Sequence, residues 1–337
     1  MPNQQSACNA DERGDFSNLF VLVACIIHYM ILVTGGTGFV GRALVRQLVA
    51  NGQQVRTLIR PSQETPALPR GVPVEVAVTS LNDERGLRAA LRGVEVVYHL
   101  AGAEHEGARG DVLSVDGRGT ANLVRAAAEM RVRRFFYVSH LDADRSSYYP
   151  LLKVKGIAEE HIRRSGVPYT IFRSALLYGP EDHFTTALAW LIAKFPLFFL
   201  PRTGEVLLQP LWVEDLVTCL IWANDMPETV NQTYDLGGAE YFPFRQIVEI
   251  VMETIGKRRP IVSVPLPVLR WLTVTMESAV SFFPFSTFWV DYLSYNRTCA
   301  VDSVTRLFGF LPARFTYRLD HLKGINWSKA RNLALKK

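Results

Sequence analysis

The segment MILVTGGTGFVG, residues 30–41, constrains this chain more than any other. A run of β-forming apolar residues enters a glycine-rich turn, and FVGRALVRQLVANG follows with Val40, Leu44 and Leu48 on one helical face and Gly52 as a stop. Gly35, Gly38 and Gly41 satisfy GxxGxxG, while Gly36, Gly38 and Gly41 satisfy GxGxxG. Glycines are needed because the loop must turn sharply, its backbone must approach a pyrophosphate closely, and the helix must pack directly on the strand. The helix N-terminus then offers free N–H groups and a partial positive charge. Between a strand and a helix the motif reads as a dinucleotide cradle.

The pattern repeats along the chain. Strand-like runs at 30–35, 54–60, 72–78, 94–100, 134–140 and 169–175 alternate with helical segments such as NDERGLRAALRG, TANLVRAAAEM and LKVKGIAEEHIRRSG. The strands are apolar with little alternation, which predicts an α/β fold: a Rossmann-type doubly wound parallel sheet, covered on both faces. Beyond residue 175, AWLIAKFPLFFLPRTG, FRQIVEIVMETIG and LPVLRWLTVTMESAV read as helices of a smaller, mostly helical C-terminal substrate lobe. QTYDLGG (232–238) reads as a late strand returning to the sheet, so the lobes interlace. The expected division is 30–178 with 205–238 for the nucleotide domain and 179–204 with 239–330 for the lid, residues 1–29 being an extension outside the fold.

Composition narrows the function classes. Basic residues are scattered in short clusters (RVRR at 131–134, KRR at 257–259) without interleaved aromatics, which argues against nucleic acid. Cysteines 8, 25, 219 and 299 show no CxxC spacing and the seven histidines no HExxH pairing, so no metal set is expected and a reducing cytoplasm is. The run FVLVACIIHYMILV (20–33) is too short to span a bilayer, and Asp11, Glu12 and Asp15 precede it where a signal peptide needs positive charge. SFFPFSTFWV (281–290), interrupted by Pro284, is core or a surface for a partner or membrane interface.

About twenty residues past the glycines, where an NAD site carries an acid for the ribose 2′-hydroxyl, stands Arg60. A guanidinium favours a 2′-phosphate, making NADP the expected cofactor ahead of NAD.

Several segments together resemble the short-chain dehydrogenase/reductase superfamily, in its extended and atypical branch of NAD(P)-dependent epimerase/dehydratase-like proteins. They are MILVTGGTGFVG, VEVVYHLAG (94–102), VDGRGTANLVRAA (115–127), RRFFYVSH (133–140), YTIFRSALLYGPEDHF (169–184), LQPLWVEDLV (208–217) and TYDLGG (233–238). The chain is most similar to the nucleotide-binding accessory subunit of respiratory complex I and its bacterial relatives. The resemblance implies that Gly35, Thr37, Gly38, Phe39, Val40 and Gly41 cradle the pyrophosphate, and that Leu100, Ala101 and Gly102 line the cofactor. It implies too that Ser139 sits by the nicotinamide, with Ala175 to Leu177 near its carboxamide. The family's Gly-Asp after the third strand is replaced by Thr79 and Ser80; Ser80, followed by Leu81, keeps a hydrogen-bonding hydroxyl for the adenine.

In working members a Tyr moves the proton and a Lys four residues on lowers its pKa and holds the nicotinamide ribose. SSYYPLLKVKG contains that spacing as Tyr149 and Lys153, one helix face apart. Pro150 opposes it by keeping Tyr149 at the helix cap. Alignment on GVPYT and Glu159 instead puts the family lysine at Lys155, with Leu151 as its partner. Tyr148 and Tyr149 both stay candidates for the phenol, Lys153 and Lys155 for the lysine, and Ser139 with His140, or His183, for further polar groups. Two functions follow: an NADP-dependent oxidoreductase or sugar-nucleotide epimerase-like enzyme acting on a small-molecule substrate, either a sugar nucleotide or an apolar ring-bearing compound, or a catalytically weak NADP(H)-binding scaffold associated with a protein complex or a membrane periphery.

Overall fold

A computed structural model describes residues 29–62, 68, 71–103, 111–279 and 287–330. Six strands alternate with helices in the first half: β1 (Met30–Thr34), α1 (Phe39–Ala50), β2 (Gln54–Ile59), β3 (Glu75–Val78), α2 (Glu84–Ala90) and β4 (Val94–His99). A π-helical turn, Leu113–Gly119, then leads into α3 (Thr120–Glu129), β5 (Arg134–His140), α4 (Pro150–Arg163) and β6 (Tyr169–Ser174). A seventh strand, Gln232–Leu236, returns to pair with β6. The seven lie in the order seventh strand, β6, β5, β4, β1, β2, β3, every pair parallel.

Both faces of the sheet are covered, as strands apolar on both sides require. One face packs Leu32, Val97, Phe135 and Ile171 under Leu87 of α2, Leu123 of α3 and Ile162 of α4. The other packs Ile31, Val33, Val96 and Phe172 under Leu44 and Leu48 of α1 and, further along the chain, Leu216 and Leu220 of α6 (Val213–Ala223). The strand order reverses between β1 and β4, which opens a crevice at their carboxyl ends.

A second core gathers α5 (Thr185–Lys194), α7 (Phe244–Thr254) and α9 (Thr287–Tyr292) around Phe184, Leu188, Phe244, Val248 and Trp289. Helix α8 (Leu266–Ala279) lies against α9 through Leu269 and Val290, and α10 (Ser303–Phe308) returns to the sheet. The helical reading of FPLFFLPRTG is corrected here. Phe198–Pro201 is a strand, paired in parallel with Ile261–Val264. Pro196 and Pro201 exclude helix, and the aromatic run between them has strand preference.

Of the apolar stretch at 281–290, residues 287–290 form the start of α9, with Trp289 and Val290 buried; 281–286 lie outside the described residues, as do 1–28. Tyr29 belongs with the sheet: its hydroxyl accepts a hydrogen bond from Asn224 at 2.6 Å and Arg133 lies over its ring. Among the described residues, no helix is long and apolar enough to cross a membrane.

Candidate functional site

The glycine loop sits in the crevice at the switch point. Gly35 has φ +73°, and a Cβ there would meet Ala101 N and Leu100 O at 2.7 Å, so only glycine lets β1 and β4 end this close together. A Cβ on Gly41 would fall 2.0 Å from Gly35 O, which is how α1 packs directly against the loop. Gly38 is different. It is exposed and extended, it caps α1 without a side chain, and its Cβ would meet only Gly35 O at 3.2 Å. No acidic residue occupies the first turn of α1. The loop is braced from behind, where Arg42 donates to Thr37 O at 2.5 Å and pairs with Glu181 at 2.7 Å. Phe39 and Val40 are half-buried beside it.

Arg60 follows the last residue of β2 and is exposed, one strand away from the glycine turn. Past β3, Thr79 is buried and donates to Asp83 at 3.1 Å, while Ser80 Oγ accepts from the Asn82 amide at 3.2 Å. Leu81 packs against Gly119, and its carbonyl accepts from Asn122 at 3.2 Å. The Ser80 hydroxyl therefore carries a local turn contact before any ligand is considered.

After β4, Leu100 N donates to Thr34 O at 3.1 Å and Ala101 N reaches Thr34 Oγ1 at 3.4 Å; Gly102 is exposed. Beneath them His99 is wholly buried between two hydroxyls, Thr34 at 2.6 Å and Thr120 at 2.8 Å. Burial first, and the Lys155 charge second, pull its pKa down to about 3. The imidazole is a neutral hydrogen-bonding strut.

Helix α4 places its two lysines differently. Tyr149 caps it with φ −83° and ψ 119°, Pro150 taking the first turn, as the restriction before proline requires. Lys153 is exposed. Lys155 is buried, 2.8 Å from Asp116 in the π-helical turn, and its ammonium lies over the Tyr137 ring. Glu159, one turn on, is buried against Arg173 of β6 at 2.6 Å and so fixes the rotation of α4. Asp116 also accepts from the Ala103 amide at 2.9 Å.

Tyr148 is fully exposed, whereas Tyr149 lines a cavity of about 370 Å³ between α4 and α9. Its hydroxyl shares a 2.8 Å hydrogen bond with Ser294, and its ring leans on Tyr295. His140, Leu151, Phe288, Tyr292 and Arg297 share the wall. Arg297 is buried over the Tyr292 and Tyr295 rings, 4.2 and 4.3 Å from their centroids, and its Nη1 has no hydrogen-bond partner among the described residues. Ser139 is not in this wall. Strand alternation sets it on the Tyr137 side of β5, and its buried hydroxyl also has no partner among the described residues. Ala175 is buried, its amide bonded to Leu236 O at 2.8 Å, and half-buried Leu177 begins a short strand beside Leu211. His183 is half-buried in the turn before α5 and is not part of the cavity wall.

The structure thus brings the glycine loop and Leu100–Gly102 together at one crevice, with Arg60 at the end of the neighbouring strand, and separates Lys155 from Lys153 and Tyr149 from Tyr148. Trp190 and Phe198 are core, while Phe195 and Phe199 are exposed. Sequence reasoning missed Asp116, the Thr34–His99–Thr120 chain, Ser294 and Arg297. Thr34, Asp116 and Thr120 stand inside the quoted motifs, but no spacing rule pairs residues that distant. Asp182, which caps α5 by accepting from the Thr185 amide at 2.6 Å, carried a usable signal in D-x-x-T. Among the described residues no group of three or more His, Cys, Asp or Glu could hold a metal.

Comparison with known proteins agrees with this geometry. The sequence model of the NAD(P)H-binding family matches residues 35–188. A mitochondrial NADH dehydrogenase [ubiquinone] 1 alpha subcomplex subunit 9 from Arabidopsis thaliana is 29% identical over 262 residues, covering 75% of this chain and 64% of that protein. The chain therefore spans just under two thirds of that relative's length. A ceramide reductase from Caulobacter vibrioides is 33% identical over 196 residues, 57% of this chain and 60% of that one. Among solved structures, an epimerase from Methanothermobacter thermautotrophicus superposes with a TM-score of 0.70 at 20% identity, over 88% of this chain and 91% of that one. Residues 35–188 thus carry an NAD(P)H-binding domain, and the chain is similar to the complex I accessory subunits.

Proposed function

We propose that the chain is an NADP(H)-dependent oxidoreductase acting on a carbinol or ketone held in the cavity between α4 and α9. The observation that carries this reading is the Tyr149 phenol, held in the cavity wall by Ser294 beside His140. Gly35, Thr37, Gly38, Phe39, Val40 and Gly41 would hold the pyrophosphate, Arg60 the 2′-phosphate, Ser80 and Leu81 the adenine side. Leu100, Ala101, Gly102, Lys155, Ala175 and Leu177 would hold the nicotinamide half, with Ser139 at its edge. When bound, the dinucleotide supplies the hydride. The start of α1, which no side chain caps at Gly38, and the close packing at Gly35 and Gly41 support the fit.

The chain's own groups would handle the proton. Tyr149 Oη gives it to the oxygen of a ketone being reduced, and Ser294 orients the hydroxyl. Leu151, Phe288 and Tyr292 exclude water and favour an apolar or ring-bearing substrate; a sugar nucleotide is the polar counterpart. Similarity to a ceramide reductase supports reductase chemistry. The nucleotide domain is taken as 30–178 with 205–238 and the lid as 179–204 with 239–330. Cys219, buried and free, supports a reducing compartment such as the cytoplasm.

A second reading is favoured by one observation. Leu151 stands four residues before Lys155, whose charge is offset by Asp116, so the usual proton-transfer pair is absent. That fits an NADP(H)-binding accessory protein, and the similarity to a complex I subunit supports it. NADPH consumption over ketones and sugar nucleotides, repeated with Tyr149→Phe, separates the two. The enzyme loses at least about a hundredfold in kcat with unchanged NADPH affinity. A wild type that binds NADPH and turns nothing over removes the first reading.

A further inference from the structure

Helix α8 carries a row of exposed apolar residues. Leu266, Leu269 and Thr273 turn inward, Leu269 packing on Val290 of α9. Val268, Trp271 and Val274, at i, i+3 and i+6, turn outward and are 47%, 67% and 50% exposed. A helix ordinarily turns such a row of apolar residues toward a core. This one, of 14 residues and about 21 Å long, is too short to span a bilayer.

The neighbouring sheet edge continues the pattern. Phe199 and Val262 are paired in register and are 50% and 38% exposed, with Leu197 at 41% beside them. Pro265 alone separates that strand from α8. The charges around this surface are mostly basic. Residues 255–277 contain Lys257, Arg258, Arg259 and Arg270 against Glu277, and residues 194–205 contain Lys194 and Arg202 against Glu205, with Arg270 paired to Asp291 at 3.2 Å.

From this surface we infer that the outer face of α8, with the Phe199–Val262 edge, docks on the surface of a membrane containing anionic phospholipid. Trp271, Val268 and Val274 enter the boundary between headgroups and acyl chains, as the apolar face of an interfacial helix does. Lys257, Arg258 and Arg202 meet the phosphates, their stems lying along the apolar surface. A protein groove or a second copy would need acidic residues to answer these cations. The inference does not depend on the proposed reaction, although α9, on which α8 packs, also lines the cavity.

The full chain would be sedimented with vesicles of phosphatidylcholine, and with vesicles of equal parts phosphatidylcholine and phosphatidylglycerol. Binding is expected to the mixed vesicles, weaker to phosphatidylcholine alone, and lowered by salt. The double variant Trp271→Ala, Val274→Ser should reduce binding at least about tenfold to both. Lys257→Gln and Arg258→Gln should each reduce it about fivefold, for the mixed vesicles only. Trp271, Val274 and Arg258 are exposed and Lys257 is half-buried, and an unchanged thermal midpoint shows that the fold is kept. Failure of the wild type to sediment with either vesicle overturns the inference, as does equal binding by the Trp271 variant. A wild-type dimer in gel filtration that this variant makes monomeric also overturns it, assigning the face to a second copy.

Discussion

Lys155 Nζ lies 2.8 Å from Asp116 Oδ1 with both side chains buried, one from the middle of α4 and the other from the π-helical turn before α3. Two charges removed from water hold one another, and each is costly without its partner. Asp116→Ala leaves an uncompensated ammonium and an Ala103 amide without its acceptor. It should lower stability by about 3–5 kcal/mol in urea unfolding. The paired change Asp116→Leu, Lys155→Met should recover most of that loss, because no charge is then stranded. Equal losses in single and paired variants would mean the ion pair is not the source.

His99 gives a pH dependence with a definite sign. Its folded pKa is held near about 3 by burial, against 6.5 for the free side chain, so the unfolded chain binds the extra proton. Its contribution is complete above pH 6.5 and declines as pH falls toward about 3. The slope approaches about 1.4 kcal/mol per pH unit inside that window. His99→Gln, which keeps hydrogen-bonding groups between Thr34 and Thr120, should flatten the urea-derived stability profile between those limits. An unchanged slope would show that another group carries the protons.

The glycines of the loop should separate by role. Gly41→Ala puts a methyl 2.0 Å from the Gly35 carbonyl and should prevent native folding or cost several kcal/mol, read from the denaturation midpoint. Gly38→Ala meets the same oxygen at 3.2 Å in an exposed, extended residue. It should fold with a small loss while weakening dinucleotide binding. Similar stability losses in both would contradict the close packing of α1 on the loop.

Arg60 should set the choice between dinucleotides. Removing a charged contact to a 2′-phosphate costs about 1.5–3 kcal/mol, roughly ten- to a hundredfold in affinity. Arg60→Ala should therefore weaken NADPH by that factor and leave NADH nearly unchanged in fluorescence titration. An unaltered ratio would take the 2′-phosphate contact away from this side chain.

What the sequence made legible was local. MILVTGGTGFVG gives its strand, turn and helix within one contiguous stretch. Pro150 placed Tyr149 at the cap of α4 by a restriction local to one peptide, and the family landmarks GVPYT and Glu159 pointed to Lys155, the buried one of the two lysines. Partners set by the sheet were not legible. Asp116 meets Lys155 only because β4 and β5 lie side by side, and Arg297 reaches the cavity only because its strand-like segment returns beside Leu208. FPLFFLP misled because an aromatic run suits a buried helix or a strand equally until its prolines are weighed.

Calorimetry of the full chain with NADPH and NADH addresses the bound diphosphate most directly. Heat of binding with 1:1 stoichiometry, stronger for NADPH and lost in Gly38→Val, is the expected result. No heat with either dinucleotide, oxidised or reduced, from a folded sample would contradict it.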